Sequence, residues 1–122
     1  MDATDENFLN GLALIINRFL DEAEIDENDQ VIWNKIQKAT IARVTDLKIL
    51  LHSDDHTPYH FHVTSTQKSI NARFEIATLK LLPGDVISSS DEKKIVHFLK
   101  VTNPAALVKM KEMSAVFYKK SN

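Results

Sequence analysis

The chain predicts an α+β fold: a small, mostly antiparallel sheet packed with C-terminal helices, plus an N-terminal helical extension. Three observations predict it. Residues 5–23 carry apolar side chains at helical spacing. Residues 59–64 and 70–76 alternate apolar and polar side chains, the period of a half-buried strand. Two further helical stripes, each with its own cap, close the chain.

At about 100° per residue, Phe8, Leu9, Leu12, Ala13, Ile15, Ile16, Phe19, Leu20 and Ala23 share one face of the first helix. Asn10, Asn17, Arg18, Asp21 and Glu22 lie opposite, with Gly11 and Leu14 as exceptions. Thr4 or Asp5 serves as N-cap, because a short side-chain oxygen accepts from first-turn amides. An apolar face this wide must be buried, against its own fold first or against a second copy. The N-terminal helix is therefore also the expected contact of any homo-oligomer.

Residues 24–30 read as an acidic connector. A short helix is expected over 31–39, anchored by Val31, Ile32 and Ile36 and capped by Asn28 or Asp29. Trp33 within it reads as a core or rim residue. From about Ile41 the pattern turns to β, with a strand over 47–52, a Ser/Asp/Pro break over 53–58 and a strand over 59–64. Ile70, Ala72, Phe74 and Ile76 point inward; Asn71, Arg73 and Glu75 point outward. The phase then shifts at Leu79 and Leu81, which predicts a bulge or bend near Ala77 and Thr78. Pro83-Gly84-Asp85 makes a turn.

Ser90 is expected to cap the next helix, with Asp91 and Glu92 in its first turn. Ile95, Phe98 and Leu99 form its core face; Lys93, His97 and Lys100 lie on the solvent side. Asn103 caps the last helix with Pro104 at its first position. Leu107, Met110, Met113 and Phe117 make its stripe, and residues 119–122 read as a frayed tail. The expected organisation is a helical extension over 1–40, packed on an α+β domain over 41–122.

Composition narrows the function classes. At 122 residues, 43% hydrophobic and 26% charged, the chain has the size and make-up of one globular domain. Without cysteine there is no disulfide framework, thiolate zinc site or cysteine nucleophile. The acidic start, Met1 to Glu6, does not read as a signal peptide, and no apolar run is long enough to span a bilayer. Charge is uneven. Residues 1–30 hold nine acids against Arg18 alone, so an acidic arm precedes a basic body. The simpler reading is that the arm packs on the body and the charges complement each other; the sharper one is that it covers an anion-binding surface. There is no glycine-rich phosphate loop, nucleophile elbow or His-Glu-x-x-His pair.

The run His52-Ser53-Asp54-Asp55-His56-Thr57-Pro58-Tyr59-His60-Phe61-His62 departs furthest from background, with four histidines in eleven residues. His60 and His62, at i and i+2 of a strand, share one face while Phe61 and Val63 face the core. His56 stands as a third ligand and Asp54 or Asp55 as a fourth, a donor set that suits zinc first, and also iron, nickel or manganese. The metal candidates are His56, His60, His62 and Asp55. In a metal-free alternative, two of His56, His60 and His62 act as general base and acid. Arg73, Lys68 or a lysine of the 93–100 helix would then stabilise developing charge. The third reading is structural, with the imidazoles bonding backbone groups at the turn. His52 and His97 stand outside the cluster.

The segment Asp55-His56-Thr57-Pro58-Tyr59-His60-Phe61-His62-Val63 resembles the Asp-His-x-Pro-Pro-His-Phe-His-Val signature of a small bacterial family of unknown function. The likeness runs over about residues 45–112 and leaves 1–40 outside. It points to Asp55, His56, Pro58, His60 and His62. Tyr59 departs from the pattern, which has a second proline there. The resemblance implies a bacterial, cytoplasmic protein. Members are loosely associated with paired-gene modules of toxin–antitoxin type, which implies a protein partner. Two functions follow as expectations. The first is a small regulatory or partner-binding domain whose histidine face holds a ligand or partner. The second is a small hydrolase, a ribonuclease first, that uses the histidine cluster with or without a divalent metal. The first ranks higher, because the basic residues are spread out without the aromatic interleaving of nucleic-acid binders.

Overall fold

A computed structural model describes residues 3–33, 45–51 and 59–121, with side chains as far as Ala115. Helix α1 spans Ala3–Glu22. It begins ahead of Thr4 and Asp5, so neither is its N-cap; Asp5 and Glu6 sit in the first turn, where negative charge complements the helix dipole. Leu9, Leu12, Ala13, Ile16, Phe19 and Leu20 are buried. Two flanking positions exchange roles relative to expectation. Asn17 is buried and Ile15 is 47% exposed. Asn17 lies one turn from both Ala13 and Leu20 and is carried inward with them, whereas Ile15 lies one turn from Gly11 and Arg18 on the outer side.

The acidic connector is a hairpin. Strands β1 (Glu24–Ile25) and β2 (Val31–Ile32) pair antiparallel, Glu24 opposite Ile32. The Asp26 carboxylate accepts from the Asn28 and Gln30 amides at 2.9 and 2.8 Å, and Asp29 takes a left-handed φ of 63°. This side-chain turn chemistry overrides the helical spacing at Val31 and Ile32. Residues 34–39 of the expected helix lie outside the described residues. Half-buried Trp33 packs edge-on to Phe19, ring centroids 5.1 Å apart.

The second sheet has the order β3-β4-β5, with β3 at Lys48–Leu50, β4 at His60–Ser65 and β5 at Ile70–Glu75. Both pairings are antiparallel. Cross-strand partners share a face, so Ile49, Val63 and Ala72 form one buried row and Phe61 and Phe74 the next. Beyond β5 the chain reverses. Leu79, at φ 59°, donates to the Glu75 carbonyl at 2.7 Å, and the returning segment bridges β5 at Phe74–Leu81 and Asn71–Val86. The phase shift, expected as a bulge or bend near Ala77 and Thr78, is this reversal, and it puts buried Leu79 into the core from a fourth, irregular edge.

Helix α2 spans Ser89–His97. Its cap is Ser88, two residues earlier than expected, whose hydroxyl accepts from the Asp91 amide at 3.0 Å. A π-helical turn, Phe98–Thr102, follows, and α3 runs over Pro104–Ser121. Asn103 caps α3 by accepting from the Ala106 amide at 3.3 Å. Helical structure through Ser121 takes in Lys119 and Lys120, placed in a frayed tail by the sequence pattern. Met110 and Met113 are buried as expected; the side chain of Phe117 lies outside the described residues. His97 is not on a solvent side. It is half-buried and stacks on Phe19, centroids 6.2 Å apart, because α1 packs along a flank of α2 that the sequence pattern leaves open.

One hydrophobic core gathers α1, the three-stranded sheet, α2, the π turn and α3. Acidic and basic parts of the chain meet in ion pairs, Asp21 with Lys68 and Asp29 with Lys93, while Lys94 donates to the Leu20 carbonyl at 3.1 Å. Among the described residues no helix is long and apolar enough to cross a membrane.

Candidate functional site

Alternation along β4 sends Phe61 and Val63 into the core and leaves His60, His62 and Thr64 half-buried on the opposite face. The register then assigns their neighbours. His60 faces Glu75 of β5. His62 lies between Leu50 of β3 and Arg73 of β5. Thr64 lies between Lys48 and Asn71. The face that does not pack on the core is therefore a polar grid of three cross-strand rows.

Side-chain hydrogen bonds constrain this grid. His62 Nε2 stands 2.6 Å from Asn71 Oδ1. A carboxamide oxygen only accepts, so in the neutral ring Nε2 carries the proton and donates it. Arg73, directly across from His62, is held by the 83–85 turn: its Nε donates to Asp85 Oδ1 at 3.2 Å and its Nη2 to the Pro83 carbonyl at 2.8 Å. The other Asp85 oxygen accepts from the backbone amides of Arg73 and Leu82 at 2.8 and 3.1 Å. Gly84 makes the turn at a φ of 85°, where a side chain would be strained.

Asn71→Ala is expected to release the His62 ring. Long-range proton–nitrogen NMR at a pH where the ring is neutral should show the Nε2-protonated tautomer in the wild type. The variant should show a mixture. A wild-type ring protonated on Nδ1 would contradict this bond.

At the lower end of the face, Asp46 accepts from the Ser65 hydroxyl at 2.6 Å and from the Gln67 amide at 3.0 Å. The Ser65 hydrogen bond, followed by the Gln67 amide, holds the Asp46 carboxyl below its ordinary value. Asp46 thus fastens the start of β3 to the β4–β5 turn, and that tie is present above the ordinary carboxylate range and is lost as pH falls through the lowered value.

Of the residues singled out from sequence, His60 and His62 are brought onto one face. His52, Asp54, Asp55, His56 and Pro58 lie outside the described residues. Among the described residues no group of three or more His, Asp or Glu is arranged to hold a metal ion. Of the suggested cations, Arg73 is placed directly across from His62. Lys68, Lys93 and Lys94 are engaged with α1 or the first hairpin. Asn71 and Asp85 escaped the sequence reading. Asn71 was readable: with a four-residue turn over 66–69 the hairpin register puts it on the histidine face. Asp85 gave only a turn signal.

No curated protein and no solved structure matches this chain. A family model does match, over residues 47–108, the stretch that holds all three strands of the histidine-bearing sheet, α2, the π turn and the start of α3. On that match the chain belongs to the family described as Domain of unknown function (DUF4160).

Proposed function

We propose that this is a small regulatory domain that binds a protein partner through the open face of its three-stranded sheet. One observation carries the reading. The sheet is apolar and buried on one side, while the other side presents Lys48, Leu50, His60, His62, Thr64 and Arg73 on a rigid, register-fixed surface. A grid of this kind, polar with an exposed leucine between its charges, has the make-up of a non-obligate interface. The resemblance to a bacterial family associated with paired-gene modules supports a cytoplasmic protein partner, as in a toxin–antitoxin-like pair.

The test is quantitative capture from the native cytoplasm with tagged wild type and with His60→Ala/His62→Ala. Both imidazoles are on the surface side, so the double variant is expected to keep the wild-type circular dichroism. A protein enriched by wild type and reduced at least about tenfold by the double variant, a loss of about 1.4 kcal/mol, supports the reading. Identical captured sets contradict it.

A second reading, a hydrolase acting on RNA, draws on Arg73 standing directly across from His62, where a cation would stabilise charge developing near the ring. His56 and Asp55 would complete a divalent metal set with His60 and His62, zinc first. Elemental mass spectrometry of untagged wild type and the double variant separates the two. Near-stoichiometric metal lost in the double variant favours the hydrolase. No metal in either, even after incubation with zinc, removes its metal-dependent form.

A further inference from the structure

Helix α1 buries one side in the core and leaves the other exposed. Leu14 and Ile15 stand on that outer side at 53% and 47% exposure. At about 100° per residue, Thr4, Asn7, Gly11 and Arg18 complete the same stripe, and all but Gly11 are exposed. Single surface aliphatics are ordinary. What sets this pair apart is Gly11, one turn before it. Glycine is the poorest helix former after proline, and the fold gives it no use here. Gly11 lies inside a regular helix, and a Cβ built on it would have no atom within 4 Å. Within its own chain it weakens α1 and returns nothing. A notch beside two large aliphatic side chains has a use when a second helix packs closely, side chain into groove.

The stripe is complementary to itself in one orientation. In a parallel, in-register pair Gly11 would face Gly11 and Leu14 would face Leu14, which leaves the notch empty. An antiparallel pair has its two-fold axis between residues 12 and 13. Leu14 of each copy then enters the notch at Gly11 of the other, Ile15 closes its side, and Arg18 meets Asn7. Charge permits this pairing. Helix α1 is acidic, but Asp5 and Glu6 lie about 120–140° around it from Gly11. Asp21 is paired with Lys68 and Glu22 with Arg18. The antiparallel arrangement also brings the Asp21 and Glu22 end of each helix to the N-terminal end of the other, where the helix dipole favours negative charge. A helix of 20 residues is about 30 Å long. Its contact with a twin lies at the low end of specific interfaces, below about 1,200 Å² in total. The expected dimer therefore forms at high concentration and dissociates on dilution.

We infer that α1 docks a second copy of this chain, antiparallel, with Gly11 of each copy receiving Leu14 of the other. Helix α1 packs on the core side of the three-stranded sheet, so the histidine face stays open in the dimer. Sedimentation velocity of the full chain from about 10 μM to about 1 mM, the range of a small interface, tests it. The wild type should move from monomer towards dimer across that range. Gly11→Gln fills the notch with a better helix former. It should keep or raise the thermal midpoint while weakening association at least about tenfold. Leu14→Gln, at an exposed position, should weaken it comparably. The chain has no cysteine, so single-cysteine variants report the orientation. Asn7→Cys and Arg18→Cys chains, mixed in the presence of a short bismaleimide, should give mainly the mixed crosslink. Three results would overturn the inference: a wild type monomeric throughout, which would leave this face to another protein; association unchanged by Gly11→Gln and Leu14→Gln; or each cysteine variant crosslinking mainly to itself.

Discussion

Phe61→Ala is expected to lower the free energy of unfolding by about 3–5 kcal/mol, the largest effect of any single substitution in the sheet. Phe61 and Phe74 are both fully buried, and their rings lie nearly parallel with centroids 5.2 Å apart. Truncation removes the transfer energy of the ring, the contact with Phe74 and the packing of the helices above. The register-fixed sheet has little freedom to collapse into the space. A domain of this size has about 5–15 kcal/mol in total, so the variant should sit near the edge of folding at 37 °C. Phe61→Leu, which keeps most of the volume, should cost less than half as much. Urea denaturation followed by tryptophan fluorescence reads both. Phe61 lies between His60 and His62, so loss of binding in Phe61→Ala would say nothing about the histidines. A cost below about 1 kcal/mol would contradict the packing described.

Asp85→Ala is expected to cost about 2–3 kcal/mol, although it removes only a turn side chain. The carboxylate is 5% exposed and holds two backbone amides and the Arg73 guanidinium. The losses are unequal. Leu82 keeps a second acceptor, the Arg73 carbonyl at 3.0 Å, whereas among the described residues the Arg73 amide has Asp85 alone. The guanidinium is 40% exposed and recovers hydration, so it adds little. Most of the cost is therefore one stranded amide and a loosened 83–85 turn. Asp85→Asn retains an acceptor for that amide and should cost about 1 kcal/mol. Equal losses in the two variants would show that charge, and not the backbone bond, is what matters. Hydrogen exchange at Arg73 should rise more in the alanine variant than in the asparagine variant.

The sequence made the main frame legible because burial has a period. Ile70, Ala72, Phe74 and Ile76 alternate inward, and the structure buries all four at 4% exposure or less. The stripe of α1 and the Asn103-Pro104 start of α3 were equally readable. What failed was local or relational. The β1–β2 hairpin has strands of two residues, too short for any period to show, and its turn depends on one carboxylate. Ser88, Ser89 and Ser90 offer the same cap chemistry, so pattern alone could not choose Ser88. The π turn at 98–102 shifts the helix phase without a sequence marker. At the candidate site, alternation correctly put His60 and His62 on one face. Their surroundings needed cross-strand register: Arg73 and Asn71 become neighbours of His62 only once β4 pairs with β5.

The central claim is that the histidine face meets a protein partner. The most direct measurement is photo-crosslinking in the native cell, with a photoreactive residue at Thr64 on the sheet face or at Lys111 on α3. The account predicts one discrete crosslinked protein from position 64, reduced by His60→Ala/His62→Ala, and none of that species from position 111. The same products from both positions, or none from position 64 with the chain folded and expressed, would contradict it.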